Sequence, residues 1–141
     1  MYYAICSWGF TYHYNIDKVQ RLQNLAARIV SGNFNYVESR GADIVKSLNW
    51  MNVCQRRNYF TILLVFKCFM GCALEYLTDN FTLYNEIEQP YALRSADGMN
   101  VIVPYVNSSS QKKPFNYNGA VLWNEHPADM KNLTDTVTFK S

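Results

Sequence analysis

Residues Ile16 to Gly32 read I-D-K-V-Q-R-L-Q-N-L-A-A-R-I-V-S-G. Asn15 stands just before the stretch, where a side-chain oxygen can cap free backbone N–H groups. Gly32 follows the last periodic residue and suits the left-handed conformation that closes many helices. Between them Ile16, Val19, Leu22, Leu25, Ala26, Ile29 and Val30 recur at helical spacing and define one broad apolar face. That pattern predicts a helix that buries this face. It leaves a basic, amide-rich edge in water, with Arg21 and Arg28 two turns apart and nearly in line, Asp17 and Asn24 between neighbouring turns, and Lys18 bordering the apolar face.

A second helix is predicted over Asn52–Gly71. Asn52 followed by Gln55 has the spacing of a capping box, and Arg56 and Arg57 precede the run Y-F-T-I-L-L-V-F-K-C-F-M from Tyr59 to Met70. Interrupted by Lys67, that run is shorter than the ~20 residues a membrane span needs, so it reads as a core helix. Gly41–Leu48 and Ala73–Asp79 read as short helices, Asn33–Arg40 and Thr82–Gly98 as connections. Asn100–Val106 is β-branched and alternating, with Pro104 pushing it toward an edge. Through a polar loop at Asn107–Lys113 it is expected to pair with Pro114–Tyr117. Asp129–Lys131 and Val137–Lys140 read as closing short helices. The fold class expected is therefore mainly α, a small helical domain with one C-terminal β-hairpin. The two longest helices are expected to pack on each other.

The motif Tyr3-x-Ile5-Cys6-Ser7-Trp8-Gly9, followed by the Ile16–Gly32 helix, resembles the region after the palm in reverse transcriptases of LINE-type, non-LTR retrotransposons. Further along, Leu48-Asn49-Trp50 resembles the family's Leu-Gly-Trp turn. Arg56, Arg57, Tyr59, Lys67 and Gly71 match its Arg-Arg helix. Phe115-x-Tyr117-x-Gly119-Ala120-x-Leu122-Trp123-Asn124-x-x-Pro127 is similar to its second landmark. Asn118 stands where the family commonly has Arg, and His126 where it has Leu. The ordered set covers nearly the whole chain. The resemblance implies a thumb and C-terminal segment lying beside a template–primer duplex, with a palm-containing polypeptide as partner. The family's first helix begins further upstream, so Met1–Trp8 reads as the tail of an element, with Tyr2, Ile5 and Trp8 expected to leave an apolar surface open.

Charge divides the chain. Residues 1–72 carry eight Lys/Arg and three Asp/Glu, a net +5; residues 73–141 carry five and eight, a net −3. On this basis 1–72 is a thumb-like helical part and 73–141 a C-terminal part, and a polyanion should meet the first. Lys18, Arg21, Asn24, Arg28, Arg56 and Arg57 are the residues expected at the RNA or DNA backbone, contacting phosphates without reading bases.

Polymerase chemistry needs carboxylates converging on two metal ions. The chain has no Asp-Asp pair and no Gly-rich phosphate loop, and His13 and His126 stand alone. No catalytic residue, metal or cofactor is expected for this chain by itself. Cys6, Cys54, Cys68 and Cys72 lack metal-ligand spacing and read as reduced thiols, consistent with an intracellular setting, nuclear or cytoplasmic. Two functions of different class follow: a sequence-nonspecific nucleic-acid-binding segment of a polymerase, or a protein-interaction module or retroelement remnant whose apolar helices bind another protein.

Overall fold

The structure, a computed structural model, describes residues 4–86, 99–108 and 114–131, excepting the side chains of residues 128 and 129. The elements are α1 (Ile5–Trp8), α2 (His13–Ser31), α3 (Gly41–Ser47), α4 (Val53–Phe69), α5 (Glu75–Thr78), a 3-10 turn (Tyr84–Glu86), α6 (Phe115–Glu125) and α7 (Ala128–Lys131). Both long helices lie where the periodicity places them. The chain divides into two compact units, Met1–Tyr59 and Phe60–Ser141, and the division falls inside α4.

In the first unit, α2 begins two residues before the expected cap. Tyr12 occupies the cap position, and the Asn15 side chain instead donates to Thr11 Oγ1 at 3.2 Å. Gly32 closes α2 as anticipated, at φ 66°. The face that α2 buries is not the aliphatic one. Gln23 and Arg28 are each only 5% exposed, beside Ile16 and Ala27, whereas Leu22 is 57%, Leu25 46%, Ile29 62% and Val30 63% exposed.

The reason is hydrogen bonding. The start of α4 presents N–H groups with no partner inside the helix, and such groups are costly to bury unpaired. Gln20 Oε1 accepts from Val53 N at 3.0 Å, and Gln23 donates to the Met51 carbonyl at 2.7 Å. The predicted capping box completes the set: Asn52 Oδ1 accepts from Gln55 N at 2.8 Å, and Gln55 Oε1 from Asn52 N at 3.0 Å. Within the first unit α2 packs along α3, burying Ala27 with Ile44 and Val45 under Leu48 and Trp50, and meets the first turn of α4 through these amides. Ile5, expected on an open surface, is buried, and Tyr2 lies outside the described residues.

The second unit is built on aromatic packing. Trp123 is buried, with its ring centroid 5.0 Å from Phe69 and 6.5 Å from Phe66, and it donates Nε1–H to the Met99 carbonyl at 2.6 Å. Phe81 stands edge-on to Phe115 at 5.4 Å. Lys131 Nζ is buried against Asn100 Oδ1 at 2.8 Å, and burial pushes its pKa down.

Among the described residues the expected β-hairpin is not found. Residues 115–117 open α6 instead of returning as a strand, with Pro114 at the cap position, where its missing N–H removes no hydrogen bond. Segment 100–102 runs beside 82–84, through a single antiparallel bridge between Leu83 and Val101. On its other side the Asn124 carboxamide accepts from Val101 N at 2.9 Å and donates to Val101 O at 2.7 Å. Both backbone groups of Val101 are thereby satisfied without a second strand. Most of the connection expected over 82–98, part of the polar loop expected over 107–113, and the closing helix expected at 137–140 lie outside the described residues.

Candidate nucleic-acid interface

Six residues were expected at a polyanion, and the structure separates them. Lys18 and Arg21 are exposed on α2, three residues apart and so on one face. Lys18 Nζ lies 4.2 Å above the Tyr14 ring, a contact that leaves the ammonium facing water. Both side chains are open to solvent.

Arg28 does not, and its assignment to the exposed edge is corrected. Its guanidinium donates to the carbonyls of Ser39 at 2.7 Å, Asn35 at 3.3 Å and Asn33 at 3.4 Å, and lies 4.2 Å over the Tyr36 ring. The side chain serves as a clamp on loop 33–39. The loop's sequence favours this closure. Asn33 Oδ1 accepts from Asn35 N at 3.0 Å and Asn35 Oδ1 from Val37 N at 3.1 Å, so successive Asx turns aim the carbonyls inward.

Arg57 is likewise internal to the first unit. Its Nη1 donates to the Gly9 carbonyl at 3.2 Å, its Nε and Nη2 donate to Asn58 Oδ1, and its guanidinium lies 4.5 Å over the Phe10 ring. Glycine at position 9 permits the approach, since a Cβ there would stand 2.8 Å from Arg57 Cγ. Arg56 is half-buried. Asn24 is half-buried too, accepting from Gln20 Nε2 at 2.9 Å. The six therefore form no single surface.

Two cations that the sequence reading passed over, Arg40 and Lys46, are exposed at the start and end of α3. Their signal was visible as charge in a polar loop and on the open side of a short amphipathic helix. The exposed aliphatic row of α2 was missed as a surface because its periodicity reads identically whether buried or open.

Among the described residues no three His, Cys, Asp or Glu side chains converge, and no helix is long and apolar enough to cross a membrane. The four cysteines form no disulfide. Comparison with protein-family models, with curated proteins and with solved structures finds no match to this chain.

Proposed function

We propose that this chain is a nucleic-acid-binding segment akin to the post-palm, thumb and C-terminal region of a non-LTR retrotransposon RNA-directed DNA polymerase. It works in an intracellular setting, holding RNA or DNA backbone weakly and without sequence preference. It has no catalytic site of its own and is matched to a palm-containing polypeptide. The observation that carries this reading is the exposed Lys18–Arg21 pair on the longest helix of the basic half. Asn49 adds support: it holds φ 54°, a conformation glycine adopts freely, at the position where the resembled family has Gly.

The test is the Lys18→Glu/Arg21→Glu double variant, measured by fluorescence anisotropy on labelled single- and double-stranded DNA and RNA across a salt series. Both side chains are exposed, so the fold should be unaffected. The slope of log affinity against log salt should shrink by about one to two units. A folded variant that binds as the unmodified chain does removes α2 as the contact. The exposed Leu22, Leu25, Ile29 and Val30 favour a second reading, a protein-interaction module, whose binding would be nearly independent of salt.

A further inference from the structure

Loop 33–39 carries two aromatic rings in water, Phe34 and Tyr36, the latter 68% exposed. The loop is tied down from within. Arg28 donates to three of its carbonyls, and the Asn33 and Asn35 side chains accept from backbone N–H groups before and after Tyr36. The same guanidinium lies 4.2 Å over the Tyr36 ring. One face of the ring is therefore backed by a cation that is itself pinned, and the rest of the ring is open. A ring fixed in this way needs little ordering when a flat group settles on it. Residues 28–40 carry Arg28 and Arg40 against the single acid Glu38, a net +1, within a half of net +5. The Glu38 carboxylate accepts from Asn35 Nδ2 at 2.8 Å.

We propose that Tyr36, backed by Arg28, is a stacking platform for an unpaired base of single-stranded nucleic acid. The positive surroundings suit an anionic strand, and a base is the part of such a strand that an aromatic face takes up. Bases inside a duplex already have their faces covered by their neighbours, so the platform serves unpaired strands. Every base has such a face, so the preference for single strands comes without a preference for sequence. The proposal rests on the nucleic-acid-binding reading above. It adds a second site, apart from the Lys18–Arg21 pair, and a choice between strand forms.

The experiment is fluorescence anisotropy of the full chain with labelled oligo(dT), oligo(U) and a blunt DNA duplex across a salt series, with circular dichroism on every variant. The unmodified chain should bind the single strands more tightly than the duplex. Tyr36→Ala should lose about five- to a hundredfold in single-strand affinity and nothing on the duplex. The slope of log affinity against log salt should stay as it was, because a lost ring releases no counterions. Tyr36→Leu keeps apolar bulk over Arg28 but has no ring face, and should lose as much, so the result does not depend on the alanine variant alone. Tyr36→Phe keeps the face and should bind as the unmodified chain does. Folded Tyr36→Ala and Tyr36→Leu variants that bind single strands unchanged overturn the platform and leave the Lys18–Arg21 reading standing. So does an equal loss on the duplex, which would make Tyr36 a support of the fold. A chain that binds no nucleic acid even at low salt overturns both.

Discussion

Arg28 shows how one side chain can change its role without changing its helix position. From periodicity it belongs with Arg21, yet the carbonyls of Asn33, Asn35 and Ser39 take its guanidinium out of water. Arg28→Ala should leave those carbonyls without a charged donor and cost about 3 kcal/mol. Arg28→Lys should recover only part of it, because an ammonium lacks the planar fork. Urea denaturation reads the loss, and limited proteolysis should place new cleavage within 33–39. Arg21→Ala, at an exposed position, should stay within about 0.5 kcal/mol of the unmodified chain. Cys68 differs from the other thiols in the same way, through burial. Burial pushes its pKa up, and a hydrogen bond with Thr78 partly offsets the rise. A thiol reagent on the native chain should modify exposed Cys72 first and Cys68 last. Because the folded pKa is raised, the unfolded thiol ionises first. The stabilisation is complete below the ordinary thiol value and is lost as pH rises through the raised one. Cys68→Ala should therefore flatten the alkaline loss of stability seen by urea denaturation.

At the scale of elements, boundaries follow local chemistry closely. The Asn52–Gln55 box and Gly32 sit where the sequence signals them, because each satisfies backbone groups a few residues away. Asn49 is the less obvious stop. At φ 54° it lets the Trp50 N–H reach the Val45 carbonyl at 3.0 Å, turning the chain from α3 toward α4. Asn tolerates this conformation better than any residue with a larger side chain, and glycine better still. Asn49→Ala should destabilise the chain by about 1 kcal/mol and Asn49→Gly should be neutral or slightly stabilising, both read from chemical denaturation midpoints. The strand reading of 114–117 failed for a reason of the same kind. Phe115, Gly119 and Trp123 recur at helical spacing, and that signal runs through the four residues taken for a strand. The Asn124 side chain then occupies the hydrogen-bonding edge of Val101 that a partner strand would have used.

On the scale of the molecule, the two units are held by different forces. In the first, glutamine, asparagine and arginine side chains bridge helices to backbone around a small aliphatic cluster. In the second, Phe66, Phe69, Phe81, Phe115 and Trp123 form the packing, and Trp123 adds its bond to Met99. Trp123→Ala should cost about 4 kcal/mol by loss of aromatic burial. Trp123→Phe should cost less, the remainder reflecting the unpaired Met99 carbonyl, and thermal denaturation orders the two. The sequence alone placed the long helices and several of their ends, and showed how charge is shared between the halves. These depend on contacts within a few residues, or on composition. Only the tertiary structure decided which face of α2 turns inward, that Arg28 and Arg57 are clamps instead of open cations, and that Val101 pairs with Asn124. A periodic row states that a helix has two unlike faces. Which one is buried depends on what meets it, and here the start of α4 and the carbonyls of loop 33–39 required polar partners.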